Sequence, residues 1–161
     1  MMSSRRFSIF LLIVAVIALD QWTKHLVRAH LTAPRVYGGG LLTLVFTQNE
    51  GAFLSLGATL SPAIRMAIFT VAVAIAVGVA LAMLILRRVA GIDAVAVALI
   101  AAGGIGNLID RLAWHGRVTD FIYLAAGPLH TGVFNVADVA ITSGVVWLVL
   151  SSFAPKRAAA T

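Results

Sequence analysis

The sequence contains no cysteine. This absence excludes a disulfide framework, a thiolate metal site and a cysteine nucleophile. Charge is also scarce, because Asp, Glu, Lys and Arg make up 11% of the 161 residues, against about 25% in a typical soluble domain. Hydrophobic residues reach 61%. The composition therefore predicts an integral membrane protein, and the length predicts a single domain over residues 1–161.

The few charges are unbalanced, with a formal net charge of +6. A basic excess can indicate nucleic-acid binding when the basic side chains share one polar face. Here they stand at the ends of apolar runs, as in Arg5-Arg6, Arg87-Arg88 and Lys156-Arg157. That placement is typical of membrane anchoring, so we predict membrane lipids and not nucleic acid as a partner.

Four apolar stretches are long enough to cross a bilayer as helices. We expect these spans at about residues 7–28, 63–86, 92–112 and 133–153. The first stretch, with its basic start, also has the pattern of a secretory signal peptide. It continues directly into the segment 20–24 without a small-x-small cleavage site, so a retained helix is predicted.

An even number of spans places both termini on one side of the membrane. The basic residues divide equally between the two sides, so charge alone does not decide the orientation. The short connections on the side of the termini, and the carboxylates available to basic residues on the other side, favour cytoplasmic N- and C-termini. The residues then expected toward the outer leaflet are Asp20, Asn49, Asn107, Asp110, Asp120 and Asp138.

Residues 29–62 are too polar to span a membrane. Pro34 and the three glycines 38–40 interrupt helices, and residues 41–47 are rich in strand-forming side chains. We expect a small extramembrane β-element over about residues 36–53, with a hairpin turned at the glycines. In the turn that follows Asn49, Gly51 would let the backbone approach a ligand closely, although a plain connecting turn is equally compatible.

Asp120 and Asp138 lie beside apolar residues, where hydrophobic runs end or begin. A carboxylate at the centre of a span costs roughly 2.5–3.5 kcal/mol on insertion, so its presence indicates function. Asn135, Asp138 and Thr142 are three and four residues apart, which predicts one polar stripe facing the bundle. Two aspartates held close together tend to share one proton. Such a pair can activate water against a peptide carbonyl without a metal or a cofactor.

Other chemistries find less support in the sequence. The histidines show neither the HExxH spacing nor another ligand spacing, which argues against a zinc site. A serine–lysine dyad would need Lys24 close to a serine such as Ser55, and no spacing indicates this. A non-catalytic scaffold would not need the aspartates. An ion-coupled transporter would use Asp20, Asp120 and Asp138 as a relay, but its carboxylates should be spread through the membrane depth.

Two further pairs of charged residues leave alternatives open. Asp20 and Lys24 share one helix face and can form an ion pair, although Lys24 and Trp22 also suit the membrane interface. Asp110 and Arg111 are compatible with an ion pair that caps the third span and equally with a contact to substrate.

Five short blocks in this order resemble the lipoprotein signal peptidase (signal peptidase II) family of bacteria. The blocks are Asp20-Gln21-x-Thr23-Lys24, Asn49-x-Gly51-Ala52-Phe53, Gly103-Gly104-x-Gly106-Asn107-Leu108-Ile109-Asp110-Arg111, Gly116-x-Val118-x-Asp120-Phe121 and Phe134-Asn135-x-Ala137-Asp138. The resemblance implies an all-α membrane protein of four transmembrane helices with a small extracytoplasmic β-cradle. It also implies an aspartyl endopeptidase of the bacterial cytoplasmic (inner) membrane. We expect a monomer without a cofactor.

The substrate implied by the resemblance is a prolipoprotein whose cysteine carries a diacylglyceryl group, cleaved just before that cysteine. Asp120 and Asp138 would be the catalytic pair. The positions expected to shape the site and contact substrate are Asn49, Gly51, Asn107, Arg111 and Asn135. The positions expected to support the architecture are Asp20, Lys24 and Asp110. Residues 49–54 lack the family's second alanine and residues 130–133 lack its Trp-Pro, which leaves both aspartates unchanged.

Overall fold

The computed structural model describes residues 4–50 and 61–153. The helices and strands, in chain order, are α1 Ser4–His30, β1 Arg35–Tyr37, β2 Leu42–Asn49, α2 Pro62–Ile85, α3 Gly91–Ala113, β3 Val118–Ala126, β4 Leu129–His130 and α4 Val136–Phe153. A single 3-10 turn, Gly38–Gly40, joins β1 to β2. The predicted fold class, a helical membrane protein with a small β-element, is confirmed.

All four helices are long and apolar enough to cross a membrane. The mean hydropathy of their most apolar windows ranges from 1.6 in α1 to 2.8 in α2. Large apolar side chains cover their outer surfaces, with Phe10 54%, Ile75 62% and Leu150 62% exposed. In water such surfaces would be unfavourable, so they indicate helices that face lipid.

The third helix lies at the centre of the bundle and contacts each of the others. Three of its glycines each face a different neighbour. A Cβ atom on Gly104 would lie 2.5 Å from Val77 of α2, and one on Gly106 would lie 2.6 Å from the carboxylate of Asp20 in α1. A Cβ on Gly103 would collide with the backbone carbonyl of Ala137 in α4. Each of these glycines therefore allows one helix to approach α3 closely.

The strands form one antiparallel sheet in the order β1-β2-β3-β4. The hairpin predicted at the glycines is present, since β1 pairs with β2 and Gly38, Gly39 and Gly40 have φ values of 58°, 65° and 101°. Strands β3 and β4 were missed by sequence reasoning. The residues of β3 are as apolar as the segments around them, so they do not stand out as a strand. The partner strand β2 lies about 75 residues earlier, so no local sequence pattern indicates the pairing.

Chain connectivity places the whole sheet at one end of the bundle. Strands β1 and β2 connect α1 to α2, and β3 and β4 connect α3 to α4. Because successive helices run in opposite directions, both connections emerge at the same end. A bulge in β2 separates the pairs Leu44–Ile122 and Thr47–Asp120, so β2 has one residue more than β3 between them. Asn49 follows at the end of β2, next to the bundle.

Candidate active site

The polar residues selected from the sequence come together at the end of the bundle that carries the sheet. They arrive from α1, β2, α3, β3 and the start of α4. Most are buried, with exposed fractions of 0% for Asp20, Lys24, Asp110 and Asn135, 2% for Asp120 and 6% for Asn107. Gly51 lies in the segment 51–60, which is outside the described residues. The remaining predicted residues form one hydrogen-bonded cluster.

Asp120 lies in β3 with both carboxylate oxygens occupied. Asn49 Nδ2 donates to Oδ2 over 3.0 Å, and Asn135 Nδ2 donates to Oδ1 over 2.7 Å. Burial raises the pKa of Asp120 to about 6, and the charge of Asp138 acts in the same direction. The hydrogen bonds from Asn49 and Asn135 and the charge of Lys24 oppose this rise in pKa. Asp120 is thus a carboxyl group that changes protonation near physiological pH.

Asp138 lies in the first turn of α4, where it and Asn135 cap the helix reciprocally. Asn135 Oδ1 accepts the backbone N–H of Asp138 over 2.9 Å, and Asp138 Oδ2 accepts the backbone N–H of Asn135 over 3.1 Å. This arrangement is a capping box with aspartate in the place of the usual glutamate. The sequence showed the spacing of three, and the cap explains it better than a polar stripe.

Asn107 and Asn135 connect the two aspartates through their side-chain amides. Asn107 Nδ2 donates to Asp138 Oδ1 over 2.8 Å. Asn135 Nδ2 donates to Asp120, and it also lies 3.1 Å from Asn107 Oδ1 and 3.4 Å from the carbonyl oxygen of Thr119. The four groups therefore form a continuous chain, Asp120–Asn135–Asn107–Asp138, that holds both carboxyl groups by amide donors.

A buried ion pair lies next to this chain of hydrogen bonds. Lys24 Nζ lies 2.9 Å from Asp20 Oδ2, and both side chains are fully buried. The predicted pair is therefore present, and the alternative of a lysine reaching the membrane interface is wrong. Trp22, on the same helix, is 59% exposed. Asp20 Oδ1 also accepts the backbone N–H of Ala137 over 2.9 Å, which attaches α4 to α1.

The sequence left open whether Asp110 pairs with Arg111 or the two contact substrate, and in the structure Asp110 contacts other groups. It lies 3.6 Å from Lys24 Nζ and 3.5 Å from Arg28 Nη1, and its Oδ2 accepts the backbone N–H of Thr119 over 2.8 Å. The reason is geometric, because successive residues of a helix point about 100° apart and Asp110 faces α1. Asp110 fixes the start of β3 against the bundle, one residue before Asp120.

Arg111 lies in the last turn of α3, four residues after Asn107. Its Nη1 makes a long contact of 3.5 Å to the backbone carbonyl of Asn107. Its Nε is buried and has no hydrogen-bond partner within the described residues. A buried donor without a partner is unfavourable by about 1–3 kcal/mol, so this guanidinium is available for a group that is added to the site.

A groove opens beside Asp138 on the surface of α4. Its volume is about 360 Å³, and its lining residues are Thr131, Phe134, Asp138, Val139, Thr142 and Ser143. Thr142 and Ser143 are exposed. The predicted stripe therefore does not face the bundle over its whole length, because one helical turn beyond Asp138 it follows the groove instead. Asp138 is the site carboxylate that this groove reaches.

Sequence reasoning missed two residues that complete the buried network. Gln21 Nε2 lies within 3.3 Å of oxygens of Asp20, Gly106 and Asp110. Arg28 Nη1 donates to Thr119 Oγ1 over 2.8 Å and its guanidinium lies over Trp114. Gln21 was visible as part of the first sequence block, but nothing local indicates the contacts of Arg28. Within residues 4–50 and 61–153, no three histidine or acidic side chains form a metal-binding group.

Comparison with known proteins gives a consistent result. The family model described as signal peptidase (SPase) II matches residues 12–154. The chain is 37% identical over 153 residues to a lipoprotein signal peptidase of Escherichia coli (strain K12), covering 91% of this chain and 90% of the relative. It is 37% identical over 147 residues to a lipoprotein signal peptidase of Syntrophus aciditrophicus (strain SB), covering 88% and 89%.

The fold is also shared with solved structures. One, described as a bacterial membrane enzyme, superposes with a TM-score of 0.79 at 26% identity and covers 91% of this chain and 92% of its own. A second structure with a similar description gives a TM-score of 0.76 at 25% identity over 94% of each chain. The family match over residues 12–154, a range that includes the sheet and the polar cluster, shows that this chain belongs to the signal peptidase II family of membrane-bound aspartic peptidases.

Proposed function

We propose that the chain removes the signal peptide from prolipoproteins, with Asp120 and Asp138 as its catalytic pair. The observation that carries this assignment is the hydrogen-bonded chain of Asp120, Asn135, Asn107 and Asp138. It holds two carboxyl groups in different surroundings, with Asp138 lining the groove and Asp120 buried. A relay transporter is not supported, because the carboxylates cluster at one end of the bundle and do not follow a path across it.

The different surroundings of the two aspartates suggest separate roles. Asp120 is 2% exposed and has its pKa raised to about 6, so it is the member suited to carry the shared proton. Asp138 lines the groove, where a water molecule and a peptide bond have access. Asp138 is therefore the general base, and Asp120 is the general acid.

The reaction then requires no covalent intermediate. Asp138 takes one proton from water while the water oxygen bonds to the peptide carbonyl carbon, and Asp120 gives its proton to the carbonyl oxygen. In the second step the carbon–nitrogen bond breaks and Asp138 returns its proton to the leaving amine. Asp120 recovers a proton from the hydroxyl group, so both carboxyl groups end as they began.

Two other polar groups suit contact with the substrate. Arg111 Nε has no hydrogen-bond partner among the described residues, which supports a role in binding a carbonyl oxygen of the bound peptide. Asn49, at the end of β2, supports both the position of Asp120 and a contact with substrate at the sheet. Gly51 belongs to the same proposed substrate-binding set from its place in the sequence. Asp20, Lys24 and Asp110 support the architecture from below.

A substrate with an acyl-modified cysteine would lie in the bilayer with its cleavage point near the polar surface. The position of the site at one end of four apolar helices supports a substrate of this kind. We place this end at the outer leaflet, with cytoplasmic N- and C-termini. All groups of the mechanism come from one chain, which supports a monomer, and the apolar outer surfaces support contact with membrane lipids.

The test is a gel-shift cleavage assay in lipid with a diacylglyceryl-modified prolipoprotein and its unmodified precursor. We expect cleavage of the modified precursor only, and a loss on the order of a thousandfold in Asp120→Asn and Asp138→Asn. Asp93→Asn is the matched control. Asp93 lies in the first turn of α3, outside the cluster, and accepts a hydrogen bond from Trp147 that asparagine can also accept.

Full activity in either site variant would exclude the proposed pair. Equal cleavage of both precursors would leave the peptidase in place and remove the proposed lipid requirement. Loss of activity in Asp93→Asn to the same extent would show that any lost carboxylate inactivates the protein, and the site variants would then carry no information about catalysis.

A further inference from the structure

Lys24 forms a hydrogen bond in addition to the ion pairs that compensate its charge. Its fully buried ammonium group lies 2.9 Å from Asp20 Oδ2 and 3.6 Å from Asp110 Oδ2. These carboxylates, with Arg28 as a second partner of Asp110, already account for the charges. The same ammonium group also donates to Asn107 Oδ1 over 2.9 Å. This third contact leads from the buried ion pair to the catalytic side of α3.

The contact determines which way the amide of Asn107 points. An ammonium group has donors only, so the atom of Asn107 that faces Lys24 must be its oxygen. The amide nitrogen is then directed to the other side, where it donates to Asp138 Oδ1 over 2.8 Å. If the amide turned over, two donors would meet at Lys24 and two acceptors would meet at Asp138.

Asn135 also donates to Asn107, but it determines the orientation of the Asn107 amide less strongly than Lys24 does. Asn135 Nδ2 lies 3.1 Å from Asn107 Oδ1, but its two hydrogens serve three acceptors. The shortest of these three contacts, 2.7 Å, goes to Asp120. The orientation of Asn135 is itself determined elsewhere, because its Oδ1 accepts the backbone N–H of Asp138. Lys24 is therefore the principal group that fixes Asn107.

We propose that Lys24 is a positioning residue for the peptidase reaction. Lys24 fixes the orientation of the Asn107 amide, and this amide donates to Asp138 and holds the Asp138 carboxylate toward the groove. The inference rests on the proposed function and adds a role to a residue that the family resemblance assigns to architecture. Lys24 does not touch the groove. Apart from its charge, which lowers the pKa of Asp120, Lys24 acts on catalysis through Asn107.

The test compares two neutral replacements in one charge-balanced background. Both Lys24 variants are made in an Asp20→Asn background. Position 20 then carries no carboxylate that would be left unpaired when the Lys24 charge is removed, which limits the loss of stability. Lys24→Gln keeps an N–H donor for Asn107 Oδ1, and Lys24→Met does not. Both have similar length and no charge, so they differ mainly in the contact under test.

We expect kcat of the Met variant to be on the order of 10- to 100-fold below that of the Gln variant, because a displaced catalytic group loses about this factor. KM should be the same in both, since the groove is unchanged. With Asn107→Ala added to each variant, the difference between Gln and Met should disappear. Thermal unfolding in detergent confirms that each compared variant is folded.

Equal kcat values in folded Gln and Met variants would overturn the proposal, as would a difference that persists with Asn107→Ala. A difference confined to KM would also overturn it. If neither neutral variant folds, Lys24→Arg takes their place, because it keeps the charge and the donors. Its kcat should exceed that of Asn107→Ala at least tenfold, and equal values would contradict the proposal. Failure of the unaltered enzyme to cleave would count against the proposed function instead.

Discussion

Asn135 and Asp138 cap the start of α4 reciprocally, because Asn135 Oδ1 accepts the backbone N–H of Asp138 over 2.9 Å and Asp138 Oδ2 accepts the backbone N–H of Asn135 over 3.1 Å. The cap leaves the amide nitrogen of Asn135 directed away from the helix. That nitrogen donates to Asp120 over 2.7 Å. One helix start therefore presents one aspartate and orients the other, which links the stability of α4 to the geometry of the proposed catalytic pair.

The cap and the amide donor of Asn135 are separable by substitution. Asn135→Asp keeps an oxygen that accepts the backbone N–H of Asp138 but removes the donor to Asp120. Asn135→Ala removes both. We expect both variants to lose cleavage at least tenfold, and only the Ala variant to lose the cap contribution of about 0.5–2 kcal/mol. Cleavage assays and thermal unfolding in detergent measure the two effects. Full activity in the Asp variant would contradict the role of the donor.

The pH dependence of cleavage follows from the protonation of Asp120. Its pKa is raised to about 6, and the proposed mechanism uses its protonated form. The value of kcat/KM should therefore fall as pH rises through about 6. At lower pH it should fall again where the pair is fully protonated, which gives a bell-shaped profile. A rate that stays constant from pH 5 to pH 8 would exclude this assignment of the acid.

Asn49 provides a sharper test of the same assignment. Its hydrogen bond lowers the pKa of Asp120, so Asn49→Ala should raise that pKa further. The alkaline limb of the profile should then move to higher pH. The matched control is Gln48→Ala, the neighbouring residue of β2, which contacts Arg117 and not Asp120. We expect the limb to stay in place in this control, and a shift in both variants would indicate a general effect on β2.

Stability should depend on pH through the same carboxyl group. The pKa of Asp120 is 3.8 in the unfolded reference and about 6 in the fold, so the folded state binds more protons between these values. The free energy of unfolding should therefore decrease by about 3 kcal/mol as pH rises from about 4 to above 6. Asp120→Asn should lack this decrease. Unfolding of both proteins at pH 4.5 and at pH 7.5 measures the difference, and parallel behaviour would contradict it.

Gly106 allows α1 and α3 to approach at the buried ion pair. A Cβ atom at this position would lie 2.6 Å from Asp20 Oδ2, so Gly106→Ala should displace the carboxylate from Lys24. We expect a loss of roughly 1–3 kcal/mol in stability, typical of overpacking. Gly78→Ala is the control, because no atom of the described residues lies within 4 Å of a Cβ there. If the unfolding temperature falls equally in both variants, the loss of stability comes from placing alanine in the helix and not from the contact with Asp20.

Much of the architecture could be predicted from the sequence because its causes are local. Apolar runs of about 20 residues specify membrane helices, and three adjacent glycines specify the turn between β1 and β2. The spacing of four between Asp20 and Lys24 places both on one helix face, and the structure shows them in contact. The shortage of charge made each remaining carboxylate conspicuous, which is why Asp120 and Asp138 were selected before any fold was known.

The sequence by itself thus determined the class of protein, the helices and the identity of the polar residues. Only the tertiary structure decided their partners. Asp110 contacts Lys24 and Arg28 and not Arg111, and Thr142 lines a groove and not the bundle interior. The strand that carries Asp120 exists because it pairs with β2, far away in the chain. Helix formation and membrane insertion depend on residues that are neighbours in the sequence. Ion pairs, strand pairing and grooves depend instead on which distant segments come together, and this is decided by helix packing at Gly103, Gly104 and Gly106.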